Sequence, residues 1–347
     1  MCGFCGFTGE VLNREQVLHA MADRITHRGP DSDGYYMDND IAMAFRRLSI
    51  IDLGTGHQPL YNEDKTLVLT FNGEIYNYQD LRRELIAAGH IFTTESDSEV
   101  LLHGFEQWGE ELLPRLRGMF GFAIWNTVDK SLFLARDYFG IKPLHYTQLP
   151  DGRLIYASEI KSILLHPDFV KEFNEKALDN YLSFQYSVPG ETFFKGVYCL
   201  PPAHYAWFRE GRVTEHRYWE STFAPDESMT LDEAVDQIDT AFTNSVEAHR
   251  ISDVEVGCFL SGGVDSSYVA SYFKGQKAFT VGFDNGQHYN ECQFAAELAE
   301  DIGIDHYQHI ITEDEYWDAL PRVQEHLDQP LADPACVALY FVSKLAA

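Results

Sequence analysis

The sequence is poor in basic residues. Its 347 residues include 26 Lys and Arg against 54 Asp and Glu, which gives a formal net charge of −28. A chain this acidic repels phosphate backbones and anionic lipid surfaces, so we expect neither a nucleic-acid partner nor a membrane partner. It also lacks an apolar run of the roughly 18 residues that span a bilayer, and its amino terminus lacks the segments of a signal peptide. The sequence therefore predicts a cytoplasmic protein.

Cysteine is also scarce, with six residues scattered along the chain, and this spacing does not indicate a disulfide framework. Cys2 and Cys5 form a Cys-x-x-Cys pair, which suggests a redox or zinc site. Three residues of extended chain cover roughly 10 Å and turn the two side chains to opposite faces, whereas the Cα atoms of a disulfide lie within about 7 Å. The sequence has no second pair to complete a zinc site. We therefore interpret Cys5 as a packing residue.

Up to about residue 220, short apolar segments alternate with turns, a pattern that is typical of a β-rich region. Strand pairs are predicted over Met119–Asn126 with Ser131–Arg136, Leu144–Gln148 with Arg153–Ala157, and Ala203–Phe208 with Val213–Tyr218. Two helices interrupt the strands. We expect Asn77 to cap the first helix, which Gly89 ends, and Ser96 to form a capping box with Glu99 in the second. This arrangement predicts packed layers of sheets and helices.

The pattern changes in the polar segment of residues 221–229, which we interpret as a linker. Thr230 and Glu233 then form a capping box for a long helix. After it, strands and helices alternate over Val254–Leu260, Val264–Phe273, Ala278–Phe283, Glu291–Asp301, His306–Ile311 and Asp314–Leu327. This alternation predicts a parallel α/β sheet. We therefore expect one domain over residues 2–220 and a second domain of a different class over residues 230–347.

A loop rich in glycine and serine, Ser261-Gly262-Gly263-Val264-Asp265-Ser266-Ser267, joins a predicted strand to a predicted helix. Such a turn directs backbone N–H groups and the positive end of the helix at one point, and its glycines let an anion approach the backbone. Asp265 would repel a phosphate unless a divalent cation lay between them. The alternative is a plain strand-to-helix turn that Ser266 or Ser267 caps.

This loop resembles the pyrophosphate loop of the ATP pyrophosphatases, and it lacks the Gly-Lys-Ser/Thr ending of kinase-type phosphate loops. The resemblance implies that the loop holds the departing pyrophosphate of ATP together with Mg²⁺, for which Asp265 is the candidate ligand. It also implies nucleotide contacts at two further positions. The implied ATP-binding residues are Leu260, Ser261, Gly262, Gly263, Val264, Asp265, Ser266, Ser267 and Val281.

Cys2 directly follows the initiator methionine. Removal of Met1 would leave a thiol and an α-amine on one residue. An amine with a pKa near ~8 can accept the thiol proton, which would make Cys2 a nucleophile that needs no histidine. For Cys2 taken alone, the alternative is a small apolar residue at the start of an edge strand.

Four motifs share the first region with Cys2: His27–Asp31, Arg47–Asp52, Phe71–Asn77 and Ser96-Asp97. In this order they resemble the glutaminase domain of class II amidotransferases, which have an amino-terminal nucleophile. Arg47 can bind an α-carboxylate bidentately, and carboxylates can accept from an α-ammonium. The resemblance implies Cys2, Asn72 and Gly73 as catalytic residues, with Asn72 and Gly73 as the oxyanion hole. It implies a glutamine site of Arg47, Leu48, Ser49, Ile50, Ile51, Asn72, Gly73, Glu74 and Asp97.

Two of these positions have plainer interpretations. Asn72-Gly73 is also typical of a hairpin turn, and an acidic residue such as Asp97 stabilises the start of any helix. Arg46 and Arg47 are adjacent and would face opposite ways on a strand, so only one of them can serve the site. The motif favours Arg47, which precedes Leu-Ser-Ile.

Both regions together resemble the glutamine-hydrolysing asparagine synthetases. The resemblance implies an α+β four-layer αββα sandwich of the N-terminal-nucleophile type, followed by an α/β parallel-sheet nucleotide-binding domain. It implies that glutamine, aspartate and ATP react to give asparagine, glutamate, AMP and pyrophosphate, with Mg²⁺ as cofactor, in a possible homodimer. Alternatives are a related enzyme acting on another carboxylate, a β-lactam synthetase, a sugar-phosphate amidotransferase and a non-catalytic interaction protein.

Two features differ from that family. Ala203 stands where its members usually have glycine, a change that we expect to be neutral for the backbone. The chain also ends within a predicted helix, before the acidic loop that serves the adenylate in the family. We therefore expect it to be a fragment whose second domain is incomplete.

Overall fold

The computed structural model describes residues 1–186, 190–272, 276–284 and 290–347. The chain divides into two compact units, Met1–Ala224 and Pro225–Ala347, and the division falls within the segment 221–229. None of the helices within the described ranges is long and apolar enough to cross a membrane.

The first unit contains two sheets whose neighbouring strands are antiparallel. One sheet has the order β10-β8-β9-β1-β3-β2, with β1 (Gly3–Thr8), β2 (Ser32–Met37), β3 (Ile41–Arg47), β8 (His145–Gln148), β9 (Leu154–Ala157) and β10 (Val197–Cys199). The other has the order β12-β11-β7-β6-β5-β4, with β4 (Leu60–Tyr61), β5 (Leu67–Ile75), β6 (Gly118–Asn126), β7 (Ser131–Arg136), β11 (His204–Arg209) and β12 (Arg212–Arg217). The three predicted strand pairs are confirmed to within two residues.

Three buried apolar clusters separate the layers of this unit. One lies between the two sheets and includes Phe4, Phe45 and Trp125. The other two lie outside the sheets, where helices cover them. The helices are α1 (Arg14–Asp23), α2 (Tyr78–Ala88), α3 (Asp97–Trp108), α4 (Ile160–Ile163) and α5 (Glu175–Phe184), with 3-10 turns at Thr26–Arg28 and Gly109–Arg115. The four-layer αββα architecture is confirmed.

The predicted caps of α2 and α3 are only partly correct. Asn77 precedes α2 but does not cap it, because its side chain bonds to backbone groups of Arg115 and Arg117 instead. Gly89 ends α2 with a φ of 106°, as predicted. Ser96 caps α3 by accepting from the N–H of Ser98, yet Glu99 does not complete a capping box. Its carboxylate accepts instead from residues 93 and 94.

The expectation that Ala203 is neutral for the backbone is wrong. Ala203 has a φ of 57°, the left-handed conformation that side chains with a Cβ disfavour. It is held there by two backbone bonds, from its own N–H to Asp137 and from the N–H of Tyr218 to its carbonyl. Alanine at this position therefore carries strain of about 1 kcal/mol that glycine would avoid.

The second unit contains a three-stranded parallel sheet in the order β13-β14-β15, which confirms the predicted α/β class. Its strands are β13 (Cys258–Phe259), β14 (Lys277–Phe283) and β15 (Asp305–Ile311). Its helices are α6 (Leu231–Ala248), α7 (Val264–Ser271), α8 (Cys292–Ile302), α9 (Glu313–Leu327) and α10 (Ala335–Ala346), and the capping box of α6 is present. The predicted end of α7 at Phe273 lies outside the described residues.

The strand predicted over Val254–Leu260 is much shorter, because β13 pairs with β14 only at two positions. Residues 253–255 are exposed and belong to no strand. Leu260 then donates its N–H to the carbonyl of Phe279 as the chain turns into the glycine-serine loop. The segment Val254–Leu260 is therefore a strand only near its carboxyl-terminal end, where Leu260 is buried.

Candidate active site

A small cavity opens where β1 begins and β3 and β5 of the first unit end, near the start of α3. Its walls come from four chain segments that the sequence separates widely. The lining residues are Cys2, Phe45, Arg47, Leu48, Ile50, Ile51, Gly56, Gln58, Phe71, Gly73, Glu74, Ser96, Asp97 and Ser98. Most of the predicted glutamine-site residues are therefore brought together, whereas Ser49 and Asn72 lie beside the cavity and not in its lining.

Strand alternation explains why these side chains meet. On β1, Phe4 packs between the sheets and Cys5 packs outside, so Cys2 shares the inner face. On β3, Phe45 and therefore Arg47 face inward, while Arg46 donates outward to the carbonyl of Ala22. The interpretation of Cys5 as a packing residue agrees with its full burial in the outer core.

Cys2 lies close to the backbone of Leu48. The N–H of Leu48 approaches the thiol sulfur at 3.3 Å, and the sulfur lies 3.4 Å from the Leu48 carbonyl oxygen. Burial raises the pKa of the Cys2 thiol, while the Leu48 bond opposes that shift. Burial therefore favours the protonated thiol at neutral pH, and a base is needed to activate it.

Arg47 is buried at 5% exposure and is held by the loop that follows β3. Its Nη2 donates to the carbonyls of Ile51 and Asp52. A Cβ at Gly56 would lie only 2.7 Å from the same nitrogen, so a larger residue there would displace the guanidinium. The guanidinium thus lies in the cavity wall in a fixed orientation.

The carboxylate of Asp52 ties this loop to the segment before α3. It accepts from the N–H of Thr55 at 2.8 Å and from the N–H of Glu95 at 3.0 Å. The carboxylate of Asp31 accepts from the N–H of Ser49 at 2.8 Å, which explains why Ser49 turns away from the cavity. The two aspartates of the sequence motifs therefore position the loop.

Two carboxylates face the cavity, although like charges repel. Asp97 is 4% exposed and accepts from the N–H of Ile75 at 2.9 Å. Burial raises the pKa of Asp97. Burial and the nearby Asp97 carboxylate raise the pKa of Glu74 to about 8, against the opposing charge of Lys142. A bound cation between the carboxylates would relieve this repulsion.

Asn72 and Gly73 lie inside β5 and not in a hairpin turn, so the turn interpretation is wrong. Asn72 pairs with Gly121 of β6 and is 1% exposed, and its Nδ2 lacks a hydrogen-bond partner among the described residues. A Cβ at Gly73 would lie 2.1 Å from the carbonyl oxygen of Met119, so only glycine fits. Asn72 thus keeps an unused donor beside the cavity.

A buried ionic network holds the chain at Cys2, and the sequence did not reveal it. Arg28 donates from Nε to the carbonyl of Cys2 at 2.8 Å and from Nη1 to Glu159 at 2.7 Å. Glu159 also pairs with His27 and Lys161. Arg28 belongs to a recognised motif, whereas no local pattern marks Glu159, which lies 131 residues away from it.

The predicted phosphate loop of the second unit is more exposed than the cavity around Cys2. Ser261, Gly262 and Asp265 are exposed, and Leu260 is buried beneath them. The hydroxyls of Ser261 and Ser266 are 2.8 Å apart, and the N–H of Gly263 donates to Ser261. Each of these contacts stays within the loop.

One donor of the loop bonds outside it. The N–H of Gly262 donates to the Glu291 carboxylate at 3.1 Å, so this loop directs an N–H group at an oxyanion. Val281 packs with Phe283 near α9 and α10, whereas Leu260 packs in the separate cluster with Ala278. The structure therefore places Leu260 beside the loop, and the Val281 side chain in a different apolar cluster.

Comparison with known proteins finds two matching family models. One, described as a glutamine amidotransferase domain, matches residues 1–219, and the other, described as asparagine synthase, matches residues 237–347. Asparagine synthetase (glutamine-hydrolyzing) 1 of Bacillus subtilis is 43% identical over 356 residues, which cover 100% of this chain and 56% of that protein. A putative asparagine synthetase (glutamine-hydrolyzing) of Mycobacterium tuberculosis is 37% identical over 375 residues, covering 100% and 57%.

The chain thus spans little more than half the length of these curated relatives. The first family model covers well over half of the chain and contains every residue that lines the cavity around Cys2. The chain therefore belongs to the glutamine amidotransferase domain family, with an asparagine synthase match over most of its second unit.

Proposed function

We propose that this chain hydrolyses glutamine at Cys2 and that the ammonia serves asparagine synthesis from aspartate and ATP. The observation that supports the first half is the cavity in which Cys2, Arg47 and two carboxylates converge. The matches to an asparagine synthase model and to glutamine-hydrolysing asparagine synthetases support the second half.

In this proposal glutamine binds through its amino-acid end. Its α-carboxylate pairs with the Arg47 guanidinium, whose planar fork suits bidentate binding. Its α-ammonium lies between Asp97 and Glu74, whose pKa values burial raises, and there a cation also relieves the repulsion of Asp97 on Glu74. The side-chain amide then points toward Cys2.

The chemistry begins when removal of Met1 exposes the α-amine of Cys2. That amine accepts the thiol proton, and the thiolate attacks the amide carbon of glutamine. The oxyanion that forms is stabilised by Asn72, through the Nδ2 that lacks a partner, and by the N–H of Gly73. The protonated α-amine of Cys2 returns its proton to the leaving nitrogen, so ammonia departs as the tetrahedral intermediate collapses to a thioester. Water then hydrolyses the thioester to glutamate, which restores the Cys2 thiol.

We propose that the loop of residues 261–267 holds the phosphates of ATP. The N–H of Gly262 already donates to a carboxylate oxygen, which indicates that this backbone geometry accepts an oxyanion. Mg²⁺ would neutralise the phosphate charge, and Asp265 in the first turn of α7 would hold it. Aspartate as the acceptor and the homodimer are proposed from the resemblance to the relatives. The cytoplasmic location is proposed from the composition.

The first experiment compares Cys2→Ala with Cys5→Ala, its matched control on the opposite face of the same strand. We expect Cys2→Ala to reduce glutamine hydrolysis by about 10⁴-fold or more, since the nucleophile is lost. Cys5→Ala should retain hydrolysis within a few-fold. Mass spectrometry of the active protein should show that Met1 is absent.

Glutaminase activity that survives in Cys2→Ala, or full activity with Met1 in place, would contradict the mechanism. The synthetase half has its own test, in which aspartate-dependent release of AMP from ATP is followed with ammonia as nitrogen donor. Cys2→Ala should not affect this reaction, whereas Asp265→Asn should impair it and leave glutamine hydrolysis unchanged. AMP release that responds to Cys2→Ala and not to Asp265→Asn would overturn the assignment.

A further inference from the structure

A second group of polar side chains lies on the outer helical layer of the first unit. It comprises Glu63 from the turn between β4 and β5, His90 from the connection between α2 and α3, and His103 and Glu106 from α3. We call these four residues the His–Glu cluster. One possible ligand atom from each lies within 4.8 Å of the other three. The proposed glutamine and ATP chemistry uses none of them.

The distances in the cluster are those of loose ion pairs, longer than charge-assisted hydrogen bonds. The Nδ1 of His103 is 3.3 Å from Glu63 Oε2 and 3.6 Å from Glu106 Oε2. The Nδ1 of His90 is 3.7 Å from Glu106 Oε2, and it is 3.6 Å from the other carboxylate oxygen of Glu63, Oε1. Charge-assisted N–H···O bonds are about 2.7–2.9 Å long. Four metal bonds of about 2.0–2.1 Å at tetrahedral angles separate their ligand atoms by about 3.3–3.4 Å, which fits better.

Both imidazoles are oriented as ligands. His103 has its Nε2 3.5 Å from Glu99 Oε1, and His90 has its Nε2 3.1 Å from Gln107 Oε1. A neutral ring that keeps its proton on Nε2 directs the Nδ1 lone pair into the cluster. The His90 bond is of the kind that metal-binding histidines usually make from their other N–H group to a carboxylate or carbonyl oxygen, and at His103 the Glu99 carboxylate lies near the same position without a hydrogen bond.

The burial of the cluster also favours a bound cation. His103 is 1% exposed, and neither of its ring nitrogens has a hydrogen-bond partner among the described residues. A buried polar nitrogen without a partner is costly. The side chains of Glu63 and Glu106 are 34% exposed, so an ion can reach the cluster from solvent.

We propose that the His–Glu cluster binds a divalent transition metal of the zinc class, through Nδ1 of His90 and His103 and through Oε2 of Glu63 and Glu106. Glu63 is suited to this because its Oε1 accepts from the N–H of Ile91 at 3.0 Å, which leaves Oε2 for the ion. Imidazole ligands favour Zn²⁺, Co²⁺ or Ni²⁺ over Mg²⁺ and Ca²⁺.

The proposed ion would have a structural role, since the protein supplies all four ligands. It joins three chain segments that adjoin the second sheet and fixes α3 along its length. The first residue of α3, Asp97, lines the glutamine cavity. Metal binding therefore stabilises the helix that presents this carboxylate, without contact between the ion and the substrate.

The test titrates the chain with Zn²⁺ by calorimetry and with Co²⁺ by visible spectroscopy. We expect one site per chain and the absorption of tetrahedral Co²⁺ with nitrogen and oxygen ligands. Zn²⁺ at a hundredfold excess over Kd should raise the thermal midpoint by roughly 5–10 °C.

The variants change only the more accessible ligands and leave the buried His103 in place, so that a loss of metal binding does not reflect a disrupted core. His90→Gln and Glu106→Gln should weaken binding at least about tenfold and remove the Co²⁺ absorption. Glu110→Gln, at an exposed position shortly after α3, is the control and should bind as the unmodified chain does.

A cysteine thiol could bind the added metal ion instead of the His–Glu cluster. The variant Cys2→Ser distinguishes these two sites. Binding that Cys2→Ser removes, or Co²⁺ absorption that shows sulfur ligands, would overturn the proposal. Affinity that is unchanged in both His90→Gln and Glu106→Gln would overturn it as well.

Discussion

The cavity around Cys2 and the proposed phosphate loop of residues 261–267 hold their polar groups in opposite ways. In the cavity, Arg47 and Asp97 are at most 5% exposed; Arg47 bonds to carbonyls of the loop after its own strand, and Asp97 accepts from the N–H of Ile75 in β5. In the loop, Ser261 and Asp265 are exposed, and the serines bond mostly to the loop itself. One site is buried and lined by separate segments of the chain, and the other is exposed and bonds mostly within one segment.

This difference has consequences for function. The cavity keeps its charged groups oriented before any ligand arrives, so little reorganisation is needed on binding, but the folded state bears the cost of buried charge. In the loop, the N–H and O–H groups must give up their present hydrogen-bond partners before they can bind an anion. We therefore expect substitutions in the cavity to change both stability and kinetics, and substitutions in the loop to change mainly ligand binding.

After Cys2→Ala, the largest expected effect in the cavity is that of Arg47→Ala. Among the described residues that line the cavity, Arg47 is the one arginine, and its loss would remove the proposed partner of the α-carboxylate of glutamine. We expect kcat/KM for glutamine hydrolysis to fall by about 10²–10³-fold, mostly through KM, because removal of one partner of a buried pair costs about 3–5 kcal/mol. Steady-state kinetics of glutamate release measure this.

Arg46→Ala is the matched control, since Arg46 lies next to Arg47 and faces Ala22 and Asp23 on the other side of the sheet. Its kinetics should stay within about twofold of the unmodified chain. Equal losses in the two variants would show that strand stability, and not carboxylate binding, explains the effect.

Glu159→Gln tests whether the buried network supports the cavity. Burial alone would raise the pKa of Glu159. Hydrogen bonds from His27, Lys161 and Arg28 instead hold this pKa far below its usual range. The neutral variant leaves buried cations uncompensated, so we expect the free energy of unfolding at pH 7 to fall by about 2–4 kcal/mol. Chemical denaturation followed by tryptophan fluorescence measures it.

The sign of the pH dependence follows from the lowered pKa. The Glu159 carboxylate stabilises the folded state fully above the unfolded pKa near ~4.5, and that contribution is lost as the pH falls below it. The difference between Glu159→Gln and the unmodified chain should therefore shrink at pH 4. Glu172→Gln, which breaks an exposed pair with Lys195, should cost less than about 1 kcal/mol at either pH.

Local sequence patterns predicted the elements and the inner faces of β1 and β3, because alternation is a property of a few consecutive residues. They failed where a side chain bonds to a distant segment. Asn77 and Glu99 looked like caps, but backbone groups outside their own helix turns bind them instead. Glu159 and the His–Glu cluster depend on contacts between segments far apart in the chain. The periodic spacing of residues within one helix or strand does not predict such contacts.

Asp97→Asn should separate stability from function in the cavity. The raised pKa values mean that the folded state binds more protons than the unfolded state, so stability falls as the pH rises from near 4 to about 8. Asparagine removes one of the two repelling charges and can still accept from the N–H of Ile75. We expect a gain of about 1–3 kcal/mol at pH 8, none at pH 4, and loss of glutamine binding.

Asp232→Asn is the control, because Asp232 also lies in the first turn of a helix but is exposed. It should lower stability by a few tenths of a kcal/mol. A loss of stability in Asp97→Asn at pH 8 would mean that Asp97 and Glu74 do not repel each other in the folded chain.

The smallest expected effect is that of Glu291→Gln beside the phosphate loop. Glu291 is exposed and accepts the N–H of Gly262, so its negative charge competes with an anion for that donor. A neutral amide competes less well, and we expect Mg²⁺-pyrophosphate to bind about two- to fivefold more tightly, with a stability change below about 0.5 kcal/mol. Calorimetric titration at fixed salt measures it, and Glu297→Gln, farther along α8, should bind as the unmodified chain does. Weaker binding in Glu291→Gln would show that the carboxylate belongs to the site, and the contrast between a preassembled cavity and an exchanging loop would then be wrong.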